Sequence, residues 1–199
     1  MNVTVLTSAE AQFDRAYPSA VRSVRQSLLL QAWLERRIEG RRLPTLDEFS
    51  AMDVYPDQAE LTIYDVVRKY AMPRYRVARE GSQFRTAFAT TGRGRFLDEV
   101  IPEAVWRGTQ PNFDACVRQG LPIYCELAAF EISDQNVIYE RLLLPFGRDT
   151  GEITGIVSSL KVTSWTNVEA PLANLNGGAP KYSFRAVIDL DSPRLLEQS

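Results

Sequence analysis

The sequence predicts an α+β domain built on a five-stranded antiparallel sheet, with helices grouped between the second and third strands. Three observations predict it. Two strand-like runs, 61–70 and 74–84, sit on either side of a short break at Pro73. A stretch of loop and helix signals, 90–120, follows them. Three more strand-like runs, 121–132, 136–146 and 153–162, are then joined by Ser-Asp and Gly-Arg-Asp-Thr-Gly-Glu, connections too short to cross over into parallel pairs.

Taken in order, residues 1–18 read as a flexible leader closed by Pro18. Ser19 then caps a helix over 19–39 that stops at Gly40. On a helical wheel Val21, Val24, Leu28, Ala32, Leu34 and Ile38 share one side, and Leu29, Leu30 and Trp33 occupy much of the other. A helix apolar on both sides needs two covering surfaces, the domain's own core and a partner copy. Leu29, Leu30, Trp33 and Leu34 are therefore the expected dimer or partner contact, against the alternative of a helix enclosed by its own chain. A short helix or turn over 45–52 follows, with Thr45 and Glu48 as a capping box.

In 74–84, Tyr75 and Val77 alternate with Arg74, Arg76 and Ala78. Residues 90–95 form a glycine-bearing loop and 96–102 a helical turn. A helix ending at Gly120 is expected to start at Pro111 instead of crossing it. Beyond the three-strand meander, 169–181 has linker composition and 182–191 reads as one more strand with no assigned partner. The expected organisation is a leader, 1–18, a domain, 19–165, and a C-terminal extension, 166–199.

A chain of 199 residues, 45% hydrophobic and 24% charged, fits one domain with appendages or two small ones. It contains no histidine, which excludes Ser-His-Asp and Cys-His nucleophiles, histidine bases, proximal-histidine haem and most zinc sites. Cys116 and Cys125 are nine positions apart, matching neither a metal knuckle nor a disulfide framework, and are expected as reduced, buried thiols. No signal peptide and no run of about 18 apolar residues is evident, so the expected setting is cytoplasmic. The net charge of -2 calls for neither nucleic acid nor membrane. Between residues 14 and 42 seven arginines face three acids, a basic surface that the overall acidity keeps from being read as a nucleic-acid site. Gly92 to Leu97 lacks the third glycine and the lysine of a phosphate loop and reads as a turn.

Several strings occur in a telling order: Trp33 with Gly40, Arg42, Leu43 and Pro44; Tyr75 to Val77 with Gly81; Gly94 to Pro102; Cys116 to Tyr124; and above all ERLLLPFGRD, Glu140 to Asp149, followed by GIVSSL, Gly155 to Leu160. In these, over roughly residues 27–165, the chain resembles the PAS-domain superfamily, and within it the small stand-alone PAS-type proteins of alphaproteobacteria. The resemblance implies a sheet of spatial order 2-1-5-4-3 and a hydrophobic pocket between sheet and crossover helices, used for sensing or protein contacts. It names no ligand.

For such a pocket the aromatic candidates are Tyr75, Phe84, Phe88, Phe96, Trp106, Phe113, Tyr124 and Tyr139, which ordinary core packing would explain equally. No cofactor and no metal is expected. The expected function is a non-enzymatic regulatory protein, a homodimer through its N-terminal helix, acting on other regulatory proteins and modulated by a small ligand. The alternative is a proton-transfer enzyme using Glu126 or Glu140 with Tyr124 and Tyr139, set against the reading of Glu140 and Arg141 as simple cross-strand pairs.

Overall fold

The computed structural model describes residues 11–37, 43–47, 60–69, 72–132, 135–148, 151–162 and 182–190. In chain order these form β1 (Asp14–Ala16), a 3-10 turn (Pro18–Ala20), α1 (Val24–Arg36), β2 (Leu61–Lys69), β3 (Met72–Arg79), α2 (Ser82–Phe88), α3 (Leu97–Val100), α4 (Glu103–Gln119), β4 (Ile123–Ile132), β5 (Gln135–Gly147), β6 (Ile153–Val162) and β7 (Tyr182–Ile188).

Among the described residues one sheet of seven strands runs β1-β7-β4-β5-β6-β2-β3, not the five expected. Every neighbouring pair is antiparallel except β1 with β7, so the sheet is mixed. Strands β2 to β6, counted among themselves, keep the neighbour order 2-1-5-4-3. The two additions come from segments assigned to the leader and to the C-terminal extension. Arg15 and Asp189, 174 positions apart, bridge at 2.8 Å, and the Asp189 N–H donates to the Ala16 carbonyl at 2.9 Å. Pairing of such separated segments leaves no local trace in sequence.

α1 begins later than expected. Pro18 starts a single 3-10 turn, Val21 returns to extended backbone, and Ser23, not Ser19, is the N-cap. Its C-cap is Arg37, and the expected stop at Gly40 lies outside the described residues. The capping glutamate Glu48 also lies outside them, and residues 46–47 form a turn.

Gln26, Leu29, Leu30, Ala32 and Trp33 are buried against the sheet. The expected partner-contact residues Leu29, Leu30 and Trp33 therefore offer a partner no surface, and Leu34 packs partly against the same core. The outward apolar side chains are Val24, 75% exposed, and Leu28, 48% exposed.

Trp33 also settles a polar account. β4 pairs with β5 no further than Leu143, so at Pro145 that edge of β5 is open. Proline has no N–H to leave unpaired there, and its carbonyl accepts from Trp33 Nε1 at 2.7 Å. Gln26 Nε2 donates to the Ser159 carbonyl at 3.1 Å and to the Glu140 carbonyl at 3.3 Å.

The run 74–84 is not all strand. β3 ends at Arg79, and the chain turns into α2 at Gly81, where a Cβ would collide with the Glu60 carbonyl. Residues 92–95 form the expected turn, zipped to β3 by Gly94 N–H to Val77 O at 2.7 Å and Val77 N–H to Arg95 O at 2.9 Å.

α4 runs through Pro111, contrary to expectation. Proline removes one helical hydrogen bond. In the same turn Arg185 of β7 donates through Nη2 to the Gly108 carbonyl at 2.8 Å, a contact available only because β7 lies beside β4.

Replacing Trp33 with alanine is expected to cost about 3–5 kcal/mol, the range for removing a buried tryptophan, and to orphan the Pro145 carbonyl as well. Urea unfolding followed by circular dichroism measures it.

Candidate functional site

The site is built by the alternation of β5. Register pairs Arg141 with Cys125 and Leu160, Tyr139 with Leu127, and Cys125 with Arg185. These side chains share the face under α4, where Asn112 Nδ2 approaches Cys125 Sγ at 3.8 Å. Glu140 pairs with Glu126 and Lys161 on the opposite face, under α1.

On the inner face lies an unusual polar group. Arg141 is 5% exposed, and among the described residues its guanidinium makes no hydrogen bond or ion pair; its Nε is buried without a partner. The Tyr139 hydroxyl, Asn112 Oδ1 and Arg185 Nε are likewise buried and unpartnered. Around them, Tyr182 OH and Thr109 Oγ1 lie 3.3 Å apart, and the Arg185 guanidinium stacks 3.6 Å from the centre of the Tyr182 ring. Most buried polar groups find partners, so several orphans on one face mark it out.

Neighbouring groups register the positive field. Burial pushes the Tyr64 hydroxyl up to about 12, opposed by Arg141. Burial pushes the Cys125 thiol up to about 11, opposed by Arg141 and then Arg185. Burial also raises Tyr139 and Tyr182, and Arg141 opposes both shifts.

The eight aromatic candidates do not line one space. Tyr75, Trp106 and Phe113 cluster with Tyr64 between β2, β3 and α4, with Tyr75 and Phe113 centroids 4.9 Å apart. Tyr75 donates to Asp114 Oδ1 at 2.6 Å, tying β3 to α4. Phe84 and Phe88 form a separate pair on α2 at 4.9 Å. Phe96 is half-buried under the Arg74 guanidinium, 3.8 Å from its ring centre. Tyr139 belongs to the Arg141 group, and Tyr124 lies on the other face of the sheet. Asn112, Arg185 and Tyr182 were not singled out from sequence, and Arg141 was named only as a cross-strand pairing residue; a charged residue alternating within the apolar run YERLLLPF was the available signal.

On the outer face the Tyr124 hydroxyl lies 3.3 Å from both Glu126 Oε1 and Glu140 Oε2. Arg22 bridges Glu126 at 3.2 Å and Lys161 bridges Glu140 at 3.3 Å. The proposed catalytic parts are thus divided: the sheet separates Tyr139 from Glu140, and each carboxylate has its own cation. This cluster holds the start of α1 against the sheet.

Cys116 and Cys125 are free and buried. Among the described residues no cluster of three or more histidine, cysteine or acidic side chains could hold a metal ion, and no helix is long and apolar enough to cross a membrane.

No family model matches the chain, and no curated protein does. Among solved structures it is similar to a fungal LOV domain photoreceptor, at 13% identity over 71% of this chain and 96% of that one, with a TM-score of 0.35. A likeness at that level defines neither fold nor function.

Two predictions follow from burial. Burial raises both thiols, so at about pH 8 a thiol reagent is expected to modify the native protein only as fast as it opens, and both cysteines at once in urea. Burial also raises Asp114, with the Tyr75 bond opposing. The folded state then holds that proton to higher pH than the unfolded state. Stability should fall as pH rises from the unfolded value through the folded one. Asp114→Asn, whose amide oxygen still accepts from Tyr75, should remove that slope in urea titrations between about pH 4 and 7.

Proposed function

We propose that this chain is a non-enzymatic, PAS-type regulatory protein that holds a small ligand between the inner sheet face and α4 and acts through contacts with other proteins. The observation that carries this reading is the group of unpartnered buried polar atoms on Arg141, Tyr139, Asn112 and Arg185. A few convergent polar groups in an otherwise apolar interior are what orient a bound small molecule.

The neighbour order of β2 to β6 and the helices placed between β3 and β4 support the reading, together with the strings that carry the PAS resemblance. The absence of histidine and the pairing of Glu126 and Glu140 with cations favour binding over catalysis. Output by contact falls to α1, whose outer face carries Val24 and Leu28. A homodimer formed there, in a cytoplasmic setting, completes the proposal.

Native mass spectrometry of freshly purified protein tests it. The expected result is a dimer carrying a small retained molecule, and a monomer that keeps the molecule when Val24 and Leu28 are both replaced by glutamate. A wild-type monomer carrying nothing would sink the reading.

A further inference from the structure

We infer that the inner site takes a small organic carboxylate, anchored by Arg141. This rests on the reading above that the inner face holds a ligand.

Arg141 sits mid-strand in β5, between β4 and β6, a buried residue whose Nε is shut off from water without a partner. A buried charge is costly unless paired. The nearby acids are committed elsewhere: Asp114 accepts from Tyr75, and Glu126 and Glu140 lie on the opposite face with Arg22, Tyr124 and Lys161. Among the described residues none supplies a counter-ion to Arg141.

The orphaned atoms specify the complement. Arg141 Nε and Arg185 Nε can only donate, the Tyr139 hydroxyl donates or accepts, and Asn112 Oδ1 accepts. A carboxylate offers two coplanar acceptors to a guanidinium and a neighbouring hydroxyl. A donor elsewhere on the ligand, such as a hydroxyl, would meet Asn112. One buried cation matches a monoanion. Arg185 is only half-buried, stacked on Tyr182 and bonded to the Gly108 carbonyl, so the site is poorly provisioned for a phosphate dianion. Ile123, Leu127 and Leu143, all buried on the same face, suit a short carbon skeleton.

The full chain is unfolded in urea to release any bound molecule, refolded, and melted with acetate, lactate, benzoate or inorganic phosphate, each against chloride at equal ionic strength. At least one carboxylate is expected to raise Tm by about 5–10 °C near saturation, with phosphate giving less. Arg141→Met should lose the shift, and Tyr139→Phe should weaken affinity about tenfold. The inference is overturned if no carboxylate shifts Tm, if phosphate shifts it more, or if Arg141→Met shifts equally. Should Arg141→Met fail to fold, unchanged affinity in Tyr139→Phe overturns it. An uncharged molecule released by urea and rebound equally by both variants would remove the carboxylate and leave the ligand-site reading standing. A protein that retains nothing and responds to nothing would remove both.

Discussion

The alternation of β5 places Tyr139, Arg141 and Leu143 under α4 and Glu140, Leu142 and Leu144 under α1, while β4 and β6 hydrogen-bond along its two edges. Because the side-chain period is two, a slip of one residue would exchange Arg141 for Glu140. The slipped register would strand Arg22 and Lys161 opposite a guanidinium and break the Tyr124 cluster. The ion pairs on the outer face therefore help to hold the register that buries Arg141 on the inner one. The same register exposes the Pro145 carbonyl where β4 has ended, and Trp33 seats α1 by closing it.

The strands that pack through local alternation were legible in sequence, β6 to the residue and β2, β4 and β5 to within one or two. What misled was tertiary compensation. Pro111 costs α4 the bond to the Arg107 carbonyl, yet the helix continues through it, held by the packing of Thr109, Asn112 and Phe113, while Arg185 separately ties the same turn to β7 through the Gly108 carbonyl. Residues 82–84 were read as strand with β3, although Phe84 breaks the parity of Tyr75 and Val77; the strand ends at Arg79 and Gly81 is the N-cap of α2. β1 and β7 find each other across nearly the whole chain, which no window can see.

The site was legible only in part, for a related reason. Aromatic residues were gathered by type, whereas the sheet sorts them by parity: Tyr124 and Tyr139 both belong to the central strands and face opposite ways. Glu140 and Arg141 were read alike, as residues of simple cross-strand pairs, without being sorted by face, although adjacent residues on a strand point to opposite faces. Applied to Tyr139, Glu140, Arg141 and Leu142, that rule alone would have put a cation on the side of Tyr139.

Stability alone gives no reason for arginine at this position. A well-packed apolar side chain of similar volume would avoid desolvating a cation and is often the more stable choice. The protein surrounds Arg141 with Tyr64, Tyr139 and Tyr182, whose hydroxyl groups burial keeps protonated, so none of them ionises to neutralise it. Cys125, its direct cross-strand neighbour, is held in the thiol form by the same burial. The phenols and the thiol around Arg141 are thus kept neutral, and among the described residues no salt bridge balances its charge, which is why the proposed ligand is an anion.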